Sequence, residues 1–399
     1  MNNLSANLSE TFEAVSNCRV CSGPFLKSPL LQYQNMPKAA QYLPDIESIK
    51  EDKGVTLRVC QCSCCGLVQL DSAPVSYYRE VIRAAAVSSE MAEFRRKQFG
   101  AFVEAQSLRG RKILEIGCGG GEYLSILEKS GVDAYGVEYS PSAVERCVNN
   151  GLKVTTGFVD GPGAIVKGGP FDAFLILNFL EHLPDQCATL RGIFNNLTAD
   201  GIGLIEVPNF DMIVRKKLFS EFTADHLFYF TRNTLTTTLS RNGFDILECS
   251  EEWHGYILSA IVRKRSRLDL SELQDCQTHL IAELSEYVHR FNDKRVAIWG
   301  AGHQAFALMS MMDVTQRIRY VVDSAPFKQG KFTPATHLPI VAPSTLESDP
   351  VDAVIVMAAS YSDEVAGIVR EEFGRRMDVV ILRDYGLETV TSLPDEHDG

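Results

Sequence analysis

A single stretch of the sequence, KILEIGCGGGEYL starting at Lys112, restricts the possible folds more than any other. Its apolar start predicts a buried strand, which leads directly into a glycine-rich turn and then into a helical pattern. Gly117, Gly119 and Gly121 permit positive φ angles and let a ligand lie against bare backbone. The third glycine of a dinucleotide fingerprint would fall at Glu122, so the stretch favours a ligand without a pyrophosphate.

The next strand candidate, AYGVE, ends in an acid, Glu138. A carboxylate at this place in an α/β domain can accept both ribose hydroxyls of a nucleoside. Glu115, inside the first strand, is a candidate to meet the amino-acid end of such a ligand through water or to orient the turn. The alternative interpretation is a tight turn with incidental charges.

This loop, its acids and the order of its strands resemble the E-x-G-x-G-x-G loop of class I S-adenosylmethionine-dependent methyltransferases. The resemblance implies that S-adenosylmethionine is the cofactor. It also implies that Asp160 or its neighbour Phe158 borders the adenine. Asn178 and the pair Glu181-His182 would then lie at the end of the fourth strand, beside the reacting centre. For His182 the alternative is a structural role as a loop histidine.

Two Cys-x-x-Cys knuckles, each followed closely by glycine, suggest a metal site near the N-terminus. We choose Cys18, Cys21, Cys62 and Cys65 as ligands, because only the last two keep the two-residue spacing and the trailing glycine. Four thiolates suit a closed tetrahedral Zn²⁺ site, which serves folding rather than catalysis. Cys60 and Cys64 remain alternative ligands, and a redox pair or plain buried thiols are alternative interpretations.

The length of 399 residues predicts two or three domains. We predict a zinc-binding module at 1–75, a core with N-terminal helices at 76–265, a linking helix at 266–292 and a second α/β series at 293–399. Strand and helix patterns alternate in both larger domains, which is typical of parallel sheets. The predicted fold class is α/β, with a class I methyltransferase Rossmann-like core and a Rossmann-like C-terminal domain.

Composition excludes several classes of protein. The chain is 45% hydrophobic and 23% charged, and it contains no apolar run of the roughly 18 residues that a membrane span needs. Its formal charge of −12 gives no general support for a nucleic-acid partner. The N-terminus lacks the cationic start and apolar segment of a secretion signal. We therefore expect a cytoplasmic enzyme with a small-molecule substrate, of unknown oligomeric state.

The order of zinc knuckles, methyltransferase core and third domain resembles the C-methyltransferases that act on nucleotide-linked keto-deoxysugars. Two further runs carry this resemblance: Asp225-His226-Leu-Phe-Tyr-Phe, and Val322-Asp323-Ser-Ala-Pro-Phe-Lys328-Gln-Gly with Thr-His-Leu-Pro-Ile after it. The family has tyrosine where this chain has Thr223, and glutamate where it has Asp225. Because of this departure, an O- or N-methyltransferase of another small metabolite remains an alternative, as does a non-catalytic zinc-containing ligand-binding protein.

Carbon methylation needs a base near a C–H bond that a ketone acidifies. His226 fits by type, because imidazole titrates near neutral pH and a carboxylate such as Asp225 can orient it. Tyr77 or Tyr78, together with His182, are candidates to donate hydrogen bonds to the enolate oxygen. The alternative for His226 is a helix cap or a core residue.

The C-terminal series begins with a Gly300-x-Gly302-x-x-Ala305 pattern after a strand, and Asp323 ends the next strand. Alone, this pattern would indicate a bound dinucleotide. The resemblance implies instead a domain that closes over the nucleotide-sugar and holds no dinucleotide. His303 and Lys328 are then candidate contacts to the substrate's phosphates, with solvated surface positions as the alternative.

Overall fold

The computed structural model describes residues 14–41, 43–80, 87–373 and 377–390. The chain divides into two compact units, residues 1–267 and 268–399. Among the described residues, none of the helices combines the length and the apolar composition that crossing a bilayer would require.

The strands of the first unit are β1 (Leu31–Met36), β2 (Val55–Gln61), β3 (Val68–Leu70), β4 (Lys112–Ile116), β5 (Asp133–Glu138), β6 (Lys153–Thr156), β7 (Phe171–Leu177), β8 (Leu197–Pro208), β9 (Phe228–Tyr229), β10 (Phe244–Glu252) and β11 (Ile257–Lys264). Its α-helices are α1 (Ser89–Ala105), α2 (Glu122–Glu128), α3 (Pro141–Asn149), α4 (Gln186–Asn195), α5 (Phe210–Lys216) and α6 (Arg232–Arg241). Short 3₁₀ helices cover Tyr78–Glu80, Leu180–His182 and Phe219–Glu221.

A seven-stranded sheet, ordered β10-β11-β8-β7-β4-β5-β6, forms the centre of this unit. Strands β4 to β8 are parallel, and β11 and β10 add an antiparallel edge. β7 reads as an almost unbroken apolar run because both of its faces are covered. Alternate residues of β4 enter two different apolar clusters, with Leu114 and Ile116 in one and Ile113 in the other.

The cysteine-rich segment is not a self-contained sheet. Its strands β1, β2 and β3 are joined by β9, and Val68 pairs with Tyr229 in antiparallel register. The N–H of Leu70 also donates to the carbonyl of Leu227 at 2.9 Å. The N-terminal segment therefore shares a sheet with the chain that directly follows Asp225 and His226.

A fully buried ion pair connects α1 to β8. Arg95 Nη1 lies 2.5 Å from Glu206 Oε2, and both side chains are 0% exposed. The side-chain amide of Gln98 donates a second hydrogen bond to the same carboxylate. Because a buried charge without its partner is costly, this pair holds α1 against β8.

The second unit contains the strands β12 (Val296–Trp299), β13 (Ile318–Val322), β14 (Ile340–Val341), β15 (Ala353–Val356), β16 (Asp378–Arg383) and β17 (Gly386–Thr389). Its helices are α7 (Ser271–His289), α8 (His303–Met311), α9 (Thr345–Ser348) and α10 (Ser362–Glu372), with 3₁₀ turns at Thr315–Arg317 and Ala359–Tyr361. The sheet order is β14-β13-β12-β15-β16-β17, parallel except for β17. α7 lies in the predicted linking helix and packs within this unit.

Candidate active site

The glycine turn after β4 has the conformation that its sequence predicts. Gly117, Gly119 and Gly121 have φ angles of 67°, 55° and 81°, in the region that side chains disfavour. A Cβ at Gly121 would also lie 2.9 Å from the Sγ of Cys147. Glu138, at the end of β5, accepts the N–H of Gly119 at 2.9 Å. The turn and the carboxylate expected to bind a ribose therefore lie together.

A cleft with about 210 Å³ of empty space opens beside this turn. Its lining includes Gly117, Glu138, Phe158, Phe179 and Arg79. Of the two residues predicted to border an adenine, Phe158 lies in this lining. Asp160 is exposed and is not among the lining residues.

The guanidinium of Arg79 belongs to a residue that lines this cleft. Its Cζ lies 5.2 Å from the ring centroid of Tyr78, 5.3 Å from that of Phe158 and 5.8 Å from that of Tyr139. Such distances allow cation–π attraction. Tyr78 is buried and packs edge-on against Phe158, at 6.0 Å between ring centroids, so it contacts a residue that lines the cleft.

Of two further predicted cofactor residues, Glu115 lies within β4 and Asn178 lies directly after β7. Glu115 is a buried residue of β4 and pairs across the sheet with Gly136 and Leu175. Asn178 follows β7 with a φ of 48°, and its N–H donates to the carbonyl of Glu206 at 2.8 Å. A left-handed asparagine ends the strand here and turns the chain toward Glu181 and His182.

Two histidines and a glutamate meet at the end of β7. The ring centroids of His182 and His226 are 4.6 Å apart in an edge-to-face arrangement. Glu181 Oε1 lies 3.8 Å from Nε2 of His182, too far for a hydrogen bond. The ring of Phe179, which lines the cleft, is 6.4 Å from that of His182. This cluster therefore adjoins the cleft beside the glycine turn.

Burial sets the protonation states in the cluster. It lowers the pKa of His182 to about 4, although the hydrogen bond to Asp225 opposes the shift. It lowers the pKa of His226 to about 3, with a further lowering by His182 and an opposing effect of Asp225. Burial also raises the pKa of Glu181 to about 8. At neutral pH both imidazoles are uncharged and can accept a proton, and the 3.8 Å contact is not an ion pair.

Asp225 serves this site through two different groups. Its backbone carbonyl accepts a hydrogen bond from Nδ1 of His182 at 2.8 Å. Its carboxylate accepts from the hydroxyl of Tyr77, from the N–H of Ala40 at 2.9 Å and from the hydroxyl of Thr223 at 3.3 Å. We predicted that this carboxylate orients His226; the hydrogen bonds found are to Tyr77, to Thr223 and to Ala40, and the sequence did not single out Ala40.

Tyr77 and the loop before β9 are held from several sides. Burial, together with the Asp225 carboxylate, raises the pKa of Tyr77 to about 12, so its hydroxyl stays protonated. The N–H of Leu227 donates to the carbonyl of Glu181 at 2.9 Å. The hydroxyl of Tyr229 accepts the N–H of Thr223 at 3.1 Å. His226 itself retains some exposure, which leaves it accessible to a reactant.

Comparison with known proteins agrees with this geometry. Residues 90–249 match the model of a methyltransferase domain, and residues 270–380 match the model of a C-methyltransferase C-terminal domain. The chain is an S-adenosylmethionine-dependent methyltransferase. It has the class I α/β fold and carries the C-terminal domain of the C-methyltransferases.

Individual relatives differ in how much of the methyltransferase they cover. C-methyltransferase NovU of Streptomyces niveus is 23% identical over 92% of this chain and 96% of its own length. A ubiquinone biosynthesis O-methyltransferase of Methylococcus capsulatus is 36% identical, over 22% of this chain and 40% of that protein. Among solved structures, the chain is similar to magnesium protoporphyrin IX methyltransferase from Synechocystis PCC 6803 with bound SAH. The match includes 48% of this chain and 97% of that one, with 16% sequence identity and a TM-score of 0.37.

The four cysteines predicted as metal ligands lie together in the methyltransferase. The Sγ atoms of Cys18, Cys21, Cys62 and Cys65 are all within 4.8 Å of one another. The amide of Gln69, a buried residue of β3, donates to the Sγ of Cys18 at 3.1 Å. This set of soft donors, with hydrogen bonds to the sulfur atoms, fits a zinc ion.

The two other candidate cysteines lie outside this group. Cys60 is a buried residue of β2 that pairs with Gln69, and Cys64 is exposed. The N–H of Cys64 donates to the Sγ of Cys62 at 3.3 Å. In this structure Cys64 supports the cluster through its backbone.

The candidate phosphate contacts of the second unit have different surroundings. Nζ of Lys328 lies 2.8 Å from a carboxylate oxygen of Asp323. That carboxylate also accepts the N–H groups of Ala301 and Ala325, at 2.9 and 2.8 Å. The carboxylate that a dinucleotide would need for its ribose is thus engaged by its own loop, through Lys328 and Ala325, and by the turn after β12, through Ala301. His303 is exposed at the first residue of α8.

Several site residues carried no sequence signal. Arg79 and Ala40 belong to no recognisable motif, and Gln69 lies in a short strand without a distinguishing pattern. Their positions follow from long-range contacts: Ala40 and Asp225 are 185 residues apart, and Gln69 and Cys18 are 51 apart. The one sequence signal for Arg79 is that it directly follows Tyr77 and Tyr78, which were already candidate site residues.

Proposed function

We propose that this methyltransferase methylates a carbon next to the ketone of a nucleoside-diphosphate keto-deoxysugar. The observation that carries the proposal is the cluster of His182, His226, Asp225 and Tyr77 beside the cofactor cleft. It combines a neutral imidazole, partly exposed to solvent, with a hydroxyl that stays protonated. These are the base and the hydrogen-bond donor that forming an enolate requires.

The cleft provides the groups needed to hold the cofactor. The bare backbone of Gly117, Gly119 and Gly121 leaves room for a nucleoside, and the carboxylate of Glu138 can accept its ribose hydroxyls. When bound, S-adenosylmethionine supplies an electrophilic methyl group on a sulfonium. The chain's part is to orient that nucleoside, with the aromatic ring of Phe158 beside it.

His226 is the proposed base. Its imidazole would take the proton of the carbon next to the ketone as the C–H bond breaks. The electron pair left there, delocalised as an enolate, would bond to the methyl carbon as the methyl carbon–sulfur bond breaks and its electron pair stays on the sulfur. His182, held by the Asp225 carbonyl, packs against His226 and fixes its ring. Tyr77 is the proposed hydrogen-bond donor to the enolate oxygen, toward which its O–H would turn from the Asp225 carboxylate. The one N–H of neutral His182 is donated to the Asp225 carbonyl, so His182, which the sequence offered as a second donor, is proposed as a positioning residue.

The two remaining parts of the proposal concern zinc and the nucleotide. Cys18, Cys21, Cys62 and Cys65 would hold a structural zinc, which would stabilise the sheet that β9 completes. The second unit would bind the nucleotide part of the substrate, with His303 and Lys328 as phosphate contacts. The match of residues 270–380 to a C-methyltransferase C-terminal domain supports this assignment.

The test is solvent exchange followed by mass spectrometry. The enzyme is incubated in D₂O with S-adenosylhomocysteine and a panel of 4-keto nucleotide sugars, and then with S-adenosylmethionine. We expect one sugar to exchange its α-hydrogen before transfer and then to gain the mass of one methylene group. A substrate that is methylated with no exchangeable carbon position would replace this proposal with O- or N-methylation.

A further inference from the structure

The buried end of β7 carries a second set of metal-ligating atoms, separate from the four cysteines. One ligand atom each from Glu181, His182 and His226 lie within 4.8 Å of one another. Glu181 is 1% exposed and His182 is 6% exposed. We propose that these three side chains form a binding site for a zinc ion, and that zinc bound there inhibits methyl transfer.

His182 is oriented in the way that a metal-bound histidine usually is. Its Nδ1 donates to the backbone carbonyl of Asp225 at 2.8 Å, which fixes the tautomer and leaves the lone pair of Nε2 free. That nitrogen faces Oε1 of Glu181 across 3.8 Å. The tautomer therefore directs a basic nitrogen, not an N–H group, at a carboxyl oxygen.

The other carboxyl oxygen of Glu181 points to the same conclusion. Among the residues that the structure describes, Oε2 has no hydrogen-bond partner, although it is buried. Leaving a buried acceptor without a partner costs free energy that a bound cation would recover. The edge-to-face contact between the two rings brings His226 to the same point, 4.6 Å from His182 between centroids.

The donor set selects the kind of ion. Two imidazole nitrogens and one carboxylate oxygen suit zinc and leave one coordination position open, unlike the closed set of four thiolates. Imidazole ligands disfavour Mg²⁺ and Ca²⁺, which prefer oxygen. A zinc ion here would take up the lone pair of His226, so no base would remain. This inhibition, but not the binding itself, depends on the proposed function.

The first measurement is stoichiometry on the intact enzyme. Wild-type protein is dialysed against micromolar Zn²⁺, and its zinc content is measured by elemental analysis. We expect two equivalents per chain. Co²⁺ is then added to protein that already holds one equivalent of zinc. Its absorption spectrum should show weak visible bands and no thiolate-to-cobalt charge-transfer band, because the second site has no cysteine ligand. One equivalent at saturation, or a second equivalent with the spectrum of a thiolate site, would overturn the proposal.

Variants then locate the second equivalent. Glu181→Gln keeps the shape of the side chain. It should lower the affinity for the second zinc ion by about 10²-fold or more, while the first zinc ion stays bound. Glu90→Gln is the matched control, because Glu90 forms an exposed pair with His254 at 3.3 Å. Equal zinc affinity in Glu181→Gln and the wild type would contradict the site. If Glu181→Gln does not fold, His226→Asn replaces it.

Activity separates this proposal from the previous one. If the second equivalent binds and stops α-hydrogen exchange, both proposals are supported. If it binds and exchange continues, the zinc site stands and His226 is not the base. If only one equivalent binds, the zinc site is wrong and the role of His226 is unaffected.

Discussion

The backbone carbonyl of Asp225 accepts a hydrogen bond from Nδ1 of His182 at 2.8 Å, while the Asp225 carboxylate binds the hydroxyl of Tyr77. One residue thus positions two groups that come from distant parts of the chain. The family that this chain resembles has glutamate where this chain has Asp225. Because the backbone carbonyl is the same for both residues, the hydrogen bond to His182 does not depend on which of them is present. The hydrogen bond from Tyr77 to the carboxylate does depend on it, because the two side chains differ in length.

Replacing His226 by alanine should remove the base without disturbing the cofactor cleft. We expect turnover to fall by about 10²–10⁴, the usual contribution of a positioned acid or base. Affinity for S-adenosylhomocysteine, measured by calorimetry, should not change. His279→Ala, at an exposed position of α7, is the control and should behave as wild type. An unchanged kcat in His226→Ala would remove this residue from the mechanism.

Replacing Tyr77 by phenylalanine should separate the two candidate tyrosines. Tyr77 contacts the Asp225 carboxylate, whereas Tyr78 packs against Phe158 in the cleft wall. Loss of one hydrogen-bond donor to a developing oxyanion should lower kcat by about 10² in Tyr77→Phe. Tyr78→Phe should leave kcat within a few-fold of wild type. The reverse pattern would move the donor to Tyr78.

Removing the Arg79 side chain should tighten cofactor binding. The Arg79 guanidinium lines the cleft and lies 5.3 Å from the ring centroid of Phe158, the residue predicted to border the adenine. The bound nucleoside must therefore displace contacts worth about 0.5–2 kcal/mol. For Arg79→Ala we expect a Kd for S-adenosylhomocysteine that is about 2- to 30-fold lower, by calorimetry.

The control for Arg79 is Arg96→Ala, an exposed arginine on α1 whose loss should leave the Kd unchanged. Weaker binding in Arg79→Ala would show that the guanidinium contacts the nucleoside rather than competing with it.

The cysteine assignment predicts a difference between neighbouring residues. Cys62→Ser should lose zinc and solubility, because a structural metal site contributes directly to folding. Cys64→Ser should keep wild-type zinc content, since the exposed Cys64 thiol is outside the cluster and its backbone N–H is preserved. The measurement is the zinc content of both purified variants, by elemental analysis. Zinc retained in Cys62→Ser and lost in Cys64→Ser would reassign the ligand.

Local features of this molecule could be predicted from its sequence. The run KILEI is β4 at Lys112–Ile116, and the glycine turn after it has the expected positive φ angles, because an apolar run and adjacent glycines determine their own conformation. The four chosen cysteines lie together for a similar reason: the short spacing within each knuckle fixes half of the site.

The features that could not be predicted from the sequence depend on contacts between distant parts of the chain. β9 completes the sheet of the cysteine-rich segment, and no local pattern near residue 228 indicates this partner. The Tyr77–Asp225 contact joins residues 148 apart. The sequence also left open whether Asp160 or Phe158 faces the cleft, because that depends on the local turn, and Phe158 is the one that lines it.

The buried cluster predicts a stability maximum slightly below neutral pH. His182 and His226 have pKa values of about 4 and 3 in the folded protein, below the ordinary 6.5. The unfolded chain therefore binds more protons as the pH falls below about 6.5, and the free energy of unfolding decreases. Glu181 acts in the opposite direction: its pKa rises from 4.5 to about 8, so the folded state binds more protons between these values. Stability should thus also decrease from pH 6.5 toward pH 8.

In denaturant titrations across this range, Glu181→Gln should abolish the alkaline decrease and keep the acid one, and Glu90→Gln should show both. An alkaline decrease that persists unchanged in Glu181→Gln would mean that the Glu181 carboxyl is ionised in the folded protein.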